Sequence, residues 1–361
     1  MGMKVYVGKD GVAKSVKAIY VGVNGVAKCI MRPSGIYKYT GSIDSIQPPR
    51  HTGTSATVGD YALYAGGLKS SIMKAVDAYN SSLVRMNVSE LSVGRFALSG
   101  VTIGGYALFA GGSDRGWNKG DKPTTIDCYD SSLTRTNPNN LSLGREYLTA
   151  TATEKYTLFC GGYAGESSGE AVSIVDAFNS ELIKVSVTNL NKPVSRSASS
   201  TISGYILVAG GSCSPTGNYD VISTVEAYDK SLTKTTETSL GEARSQLTST
   251  SISNYALFAG GWIGDDKNNK YNSTMVDAYD KLLIRITAPE LSSYNREFGG
   301  TTLTDHAIFG GGLFKLVDVY NSSLIKTTST DLSSKAWTAK TIGNYAIFVD
   351  DDITDAYFYE S

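Results

Sequence analysis

One short run of apolar and small residues recurs seven times along the chain, at intervals of roughly fifty residues, which is the mark of a repeat architecture. Its clearest copies are Tyr61-Ala-Leu-Tyr-Ala-Gly-Gly67, Tyr106-Ala-Leu-Phe-Ala-Gly-Gly112 and Tyr255-Ala-Leu-Phe-Ala-Gly-Gly261. Tyr156 to Gly162, Tyr205 to Gly211 and His306 to Gly312 follow closely, and Tyr345 to Asp351 has lost the glycines. Each copy reads as a strand, B, that is apolar on both faces and so needs cover on both sides.

A run of Ser, Thr, Ala and Gly opening on a basic residue precedes each copy: Arg50, Arg95, Arg145, Arg196, Arg244, Arg296 and Lys335. It predicts a strand A, joined to B by two-residue polar turns such as Gly59-Asp60 and Ser253-Asn254 that suit a tight hairpin. After a loop of variable length comes strand C, as in Val76-Asp-Ala-Tyr79 or Val225-Glu-Ala-Tyr228. A short polar turn then leads to strand D, as in Leu83-Val-Arg85 or Leu283-Ile-Arg285. Four antiparallel strands covered on both faces imply blades stacked around an axis, with the small residues of strand A innermost. The fold class predicted is all-β, a seven-bladed β-propeller.

The seventh repeat ends at Ser361, after its strand C. The missing strand D is found at the other end of the chain, where Ile36-Tyr-Lys38 stands at the usual distance before Arg50. The N-terminal segment is therefore expected to close the ring and remove its open edges. Residues 5–32 carry a separate fourteen-residue period, Val5 to Lys14 against Ile19 to Lys28. With Asp10-Gly11 and Asn24-Gly25 as turns, each unit reads as a β-hairpin. The organisation predicted is an appendage over 1–32 and a propeller over 33–361.

Composition narrows the function classes. A balance of 33 basic against 34 acidic residues gives no positive field for nucleic acid. No apolar run is long enough to insert in a membrane. Met1 to Lys14 has no secretory-signal pattern, and localisation stays open. Cys29, Cys128, Cys160 and Cys213 form no CxxC pair, and Cys128 and Cys160 stand where other repeats have Ala, so they read as small core residues.

An Arg-led strand, a Tyr-x-x-x-x-Gly-Gly strand and a Val-Asp/Glu-x-Tyr strand together resemble the Kelch repeat over about residues 36–361. The sequence departs from that family in carrying Leu or Ile followed by a base where most Kelch repeats have a strand D tryptophan. The resemblance implies the propeller firmly. It leaves function among adaptors, actin-associated proteins, sugar mutarotases and copper-radical oxidases. Residues 5–32 resemble repeats at the front of prophage-encoded tail and surface proteins of gut bacteria.

Strands A and C start at one end of the blade, with the Gly-Gly between them. A guanidinium crossing the trough left by the glycines can reach a strand C carboxylate. One pair per repeat is expected, drawing on Arg50, Arg95, Arg145, Arg196, Arg244 and Arg296 with Asp77, Asp127, Asp176, Glu226, Asp277 and Asp318. A second reading has the same arginines ringing the channel mouth and binding an anion. The variable B to C loops share that face and are where specificity can change without disturbing the frame. Their aromatic residues Trp117, Tyr163, Tyr219, Trp262, Tyr271 and Phe314 are the candidate ligand-binding residues, suited to stacking on sugars or anchoring a protein.

Catalysis finds little support. A copper-radical site needs two histidines, and His51 and His306 are expected at opposite ends of their blades. Asp350-Asp351-Asp352 and Asp265-Asp266 lack calcium-loop spacing. No metal or cofactor is expected. The sequence therefore reads as a non-enzymatic recognition scaffold for protein or glycan, cell-surface or phage-tail associated. The alternatives are a Kelch-type sugar mutarotase or epimerase, which would need a deep channel-mouth pocket with an Arg and an acid outside the pairing, and a structural assembly protein.

Overall fold

A computed structural model describes residues 6–9, 12–15, 19–23, 26–31, 35–39, 41, 43–115, 122–165, 170–213, 220–265 and 270–360, without the side chains of the segments before residue 35 or of residues 265, 270 and 271. The described elements are strands, arranged as seven four-stranded antiparallel blades of a β-propeller. In the first blade Thr54–Val58, Tyr61–Ala65, Val76–Asn80 and Arg85–Asn87 are A, B, C and D. The later blades repeat this order from Ser99–Ile103, Thr149–Ala152, Ala198–Ile202, Gly299–Leu303 and their fellow Thr248–Ile252. The last blade is Thr338–Ile342, Tyr345–Val349 and Thr354–Glu360, and Gly35–Lys38 pairs with its third strand in the register Tyr357↔Lys38 and Glu360↔Gly35. The ring is closed by the N-terminal strand that the sequence lacks at its C-terminal end. In the N-terminal segment Tyr6–Lys9 pairs with Val12–Ser15, and Ile19–Val23 with Val26–Met31.

The core lies between blades. One apolar cluster joins Leu63, Ala65 and Val76 of the first blade to Phe109 and Tyr129 of the second, and six others repeat the arrangement around the ring. That is the cover that the two apolar faces of strand B require. The strand C tyrosines pass through these seams and donate to backbone carbonyls of the segment leading from the preceding blade: Tyr129 to Ser89, Tyr228 to Thr188 and Tyr279 to Thr238, at 2.6 to 2.9 Å.

The Gly-Gly pairs allow a close approach of the next blade. A Cβ on Gly66 would lie 2.5 Å from the Arg95 carbonyl oxygen. Gly67 N–H donates to that same carbonyl at 2.9 Å. Cys128 and Cys160 are buried, and burial pushes their thiols up to about 11 and about 12. Thiols in that state are poor nucleophiles at neutral pH. The Cys29 side chain lies outside the described residues.

Candidate functional site: the channel mouth

The arginine that opens the repeat lies in the loop before strand A, sixteen residues ahead of the first glycine of its Gly-Gly. Arg50 donates through Nε to Gly66 O at 2.8 Å and through Nη2 to Tyr64 O, and reaches Asp77 at 2.6 Å. Arg95 and Asp127 are 2.5 Å apart, Arg145 and Asp176 2.9 Å, and Arg244 and Asp277 2.7 Å. All eight residues are buried.

Among the described residues Arg196 and Arg296 do not form the expected pairs, because both lie off register. Counting sixteen back from Gly210 and Gly311 gives Val194 and Asn295. Asn295 keeps one of the arginine's tasks by donating through Nδ2 to Gly311 O at 2.8 Å. Glu226 and Asp318 are held instead by Lys234 and Lys326, both at 3.3 Å. Lys335 is also one residue past the equivalent position, which is Ser334.

The pairing that recurs in every blade joins strand C to strand D. Asp77 meets Arg85, Asp127 Arg135, Asp176 Lys184 and Asp277 Arg285, at 2.6 to 2.9 Å. Lys38 meets Asp355 at 3.0 Å across the two ends of the chain. Each of these acids also accepts a backbone N–H from the segment before its blade, for example Ser92 for Asp127 and Gly241 for Asp277. These clamps use up the acids, so the arginine ring has no free charge to offer a ligand at Arg50, Arg95, Arg145 or Arg244.

Two residues beyond the buried arginine position the chain turns into the channel mouth. Thr52, Ala97, Tyr147, Arg196, Gln246 and Glu297 occupy equivalent places in six successive blades, each with φ between +50° and +56°. That region is unfavourable for residues with a Cβ, and such strain persists only where the surroundings fix it. Here a chain of hydrogen bonds fixes it. Ala97 N–H donates to Thr52 O, Tyr147 to Ala97, Arg196 to Tyr147, Gln246 to Arg196 and Glu297 to Gln246, at 2.9 to 3.1 Å. Across these six blades the collar is uniform in backbone and different in side chain.

Its side chains line a cavity of about 290 Å³ together with Leu98, Leu148, Phe298 and Trp337. The Arg196 guanidinium lies 4.0 Å from the centre of the Tyr147 ring and 5.9 Å from that of Tyr163. Tyr163 meets Tyr147 edge to face at 6.2 Å. Arg196 Nε and Gln246 Oε1 are buried without a hydrogen-bond partner among the described residues. Burial pushes the Tyr147 phenol up, with Arg196 opposing, so it stays a neutral hydroxyl. Burial also raises Glu146, against the pull of Lys122 at 3.8 Å and of Arg196. Glu297 is exposed at the rim.

The loop aromatics stand in varied places. Tyr163 is buried beneath the mouth. Trp262 is half-buried, in a strand whose backbone pairs with Ser245. Phe314 packs edge to face on Tyr294 at 5.2 Å. Tyr271 lies in the strand Lys270–Asn272, its side chain outside the described residues, as are Trp117 and Tyr219. Of the six, Tyr163 alone is brought to the mouth among those described. Tyr147, Gln246, Glu297 and Trp337 were not singled out by sequence, although counting from the Gly-Gly places the first three.

His51 contacts Asp351 at 3.2 Å and packs on Trp337, whereas His306 packs on Tyr359. The two share no contact, and no group of three metal-ligating side chains occurs among the described residues. The Asp350 to Asp352 run fastens the last blade to the first: Asp350 accepts from Trp337 and Ser334, Asp351 meets His51, and Asp352 meets Lys69 at 3.0 Å.

No protein-family model matches the chain, and no curated protein does. Among solved structures it is similar to that titled "Structure of YjhT", at 13% sequence identity and a TM-score of 0.59, covering 87% of this chain and 99% of that one. At that identity the likeness shows the fold, a β-propeller, and nothing of the chemistry.

Proposed function

We propose that this chain is a divergent Kelch-type recognition propeller that binds a carbohydrate, free or displayed on a protein, in the mouth of its channel. The observation that carries this reading is the collar: one hydrogen-bonded backbone arc over six blades presenting Tyr147, Arg196, Gln246 and Glu297 to a single cavity. Sugar hydroxyls both donate and accept, and the Arg196, Gln246 and Glu297 side chains that line the cavity carry donors and acceptors to match them. Tyr147, Trp337 and Phe298 supply the apolar surface on which the C–H face of a pyranose packs. The cavity is close to the lower end of ligand-pocket volumes, about 300 Å³, which suits one or two sugar rings. The position on the face with the variable loops lets a larger glycan or its protein carrier reach further contacts.

A glycan array tests the reading. Wild type should bind a restricted set of glycans, and Arg196→Ala should weaken that binding about tenfold or more, the loss of one charge-assisted contact. Silence across the array would remove the carbohydrate and leave a protein partner.

A second reading, sugar mutarotation, is favoured by Glu297 and Arg196 lining the same cavity outside the repeated ion pairs. Glu297 would take the proton of the anomeric hydroxyl as the bond from C1 to the ring oxygen breaks and water protonates that oxygen. On closure the same oxygen adds back to the carbonyl and gives its proton to water, while Glu297 returns its proton to the carbonyl oxygen, which becomes the anomeric hydroxyl on the other face. Faster anomer exchange by NMR with wild type, and not with Glu297→Gln, would identify the protein as an enzyme.

A further inference from the structure

Below the mouth, the seven A strands enclose a channel cavity of about 740 Å³. Its wall is made almost wholly of hydroxyls and glycine, the small residues that converging strands demand. The hydroxyls bridge adjacent blades: Thr57 to Thr102 at 3.1 Å, Thr149 to Ser199 at 2.7 Å, Thr250 to Thr302 at 2.7 Å and Thr301 to Thr341 at 2.8 Å.

One lining residue breaks the pattern. Lys340 pairs with Ile347, and the residues at its position in the other blades, opposite the equivalent strand B residue, are Ala56, Val101, Thr151, Ser200, Thr250 and Thr301. It is the one charged side chain lining the channel among the described residues. No ion pair or hydrogen bond of its ammonium occurs among them. Elsewhere the molecule matches its buried bases with acids: Arg50, Arg95, Arg145 and Arg244 each have an aspartate, and Lys122 has Glu146. Burial lowers the pKa of Lys340, and no carboxylate opposes that shift. Lys340 is half-buried in the channel wall, and a charge partly withdrawn from water is stabilised by an anion placed beside it.

We propose that the channel is a binding site for a small oxyanion, a phosphate or a carboxylate, held by the Lys340 ammonium and by threonine hydroxyls of neighbouring blades. Thr301, Thr302 and Thr341 line the same cavity; their hydroxyls bond one another and the Ser251 and Thr302 carbonyls, so one that turns to the ligand exchanges one hydrogen bond for another. The channel is continuous with the mouth, since Ser197, Leu247 and Thr248 line both cavities, which gives the anion a way in. This site does not depend on the carbohydrate reading of the mouth.

Calorimetry in a buffer without oxyanions, with inorganic phosphate and with acetate as separate titrants, tests the proposal and separates the two ligand sources. One saturable site is expected for at least one of them, weakened about tenfold or more in Lys340→Met and retained in Lys69→Met, which removes an exposed lysine. A second measurement uses the folded wild type. The ¹³C-dimethylated Lys340 resonance, assigned through Lys340→Arg, should move saturably with the same anion. Absence of saturable binding for both anions, equal binding by Lys340→Met, or a Lys340 resonance indifferent to the anion would each overturn the site.

Discussion

Asp176 is surrounded by more hydrogen-bond donors than any neutral carboxyl could use. Burial alone would raise its pKa, but Lys184 at 2.6 Å, Arg145 at 2.9 Å and the Ser142 N–H together hold it below the ordinary aspartate range. A carboxyl depressed in the folded state contributes stability that is fully present above its unfolded pKa and is lost as pH falls through the folded one. Wild type should therefore lose stability on acidification below about pH 4, the unfolded aspartate value. Asp176→Asn leaves Arg145 buried without its anion and should cost about 3 kcal/mol at pH 7. Its acid limb should be flatter than that of wild type, as read from urea midpoints at successive pH values. An acid limb of unchanged slope would place the titration on other groups. The difference between Asp277 and Glu226 belongs to the same scale. Where Val194 replaces the buried arginine, the carboxylate is the longer glutamate, and it is held by Lys234 and the Asn191 N–H.

At the scale of the element, the hairpin of strands A and B ends on a Gly-Gly that serves the next blade as much as its own. Gly161 has φ +62°, and a Cβ there would lie 2.2 Å from Val194 O, a backbone atom that cannot move aside. Gly161→Ala should cost more than about 2 kcal/mol in equilibrium unfolding, the sum of a left-handed backbone penalty and a displaced loop of the next blade. Gly165→Ala, at φ +84° but with nothing within 4 Å, should show the backbone penalty alone. The C to D turn makes a different use of the same backbone region. Leu83, Leu133, Leu182, Leu232, Leu283 and Leu324 have φ of 58° to 63°. The preceding Asn or Asp accepts two backbone N–H groups in that turn, as Asn80 does from Ser82 and Val84. The leucine packs inward against the seam between blades, so burial offsets the strain.

For the whole molecule, the consequence of a core lying between blades is that every blade depends on two neighbours, including the last on the first. Closure rests on Gly35–Lys38, on the Lys38 to Asp355 pair and on the Asp350 to Asp352 contacts with Trp337, His51 and Lys69. Ile36→Asp would put a carboxylate into the cluster of Leu303, Phe348 and Tyr357. Its expected cost is about 3 kcal/mol. Removing residues 1–38 should uncover the edge of Thr354–Glu360 and cause concentration-dependent association in sedimentation velocity. A shortened chain that stays monomeric with an unchanged melting temperature would show that the strand is not what closes the ring. The collar hydrogen bonds act on the same scale, fixing the mouth before any ligand arrives, and preorganisation of that kind lowers the cost of binding.

The sequence by itself determined the architecture: strand B apolar on both faces, the Gly-Gly of six repeats and the displaced fourth strand allow one arrangement, because a sheet with two apolar faces must be covered twice and an open edge must be paired. It also brought Arg50, Arg95, Arg145 and Arg244 to their aspartates, since the antiparallel order of strands A, B and C puts the starts of A and C at one end of the blade. Only the tertiary structure decided the site. Arg196 and Arg296 look like members of the arginine series in sequence, yet a shift of one or two residues in a turn changes which way a side chain points, so Arg196 enters the mouth instead of the trough. The clustering of Tyr147, Arg196, Gln246 and Glu297 joins residues about fifty apart in sequence across blade boundaries. The solitary charge of Lys340 has meaning only when seven strands are seen to enclose one channel. Neither arrangement is a property of any local segment, and both follow from closing the ring.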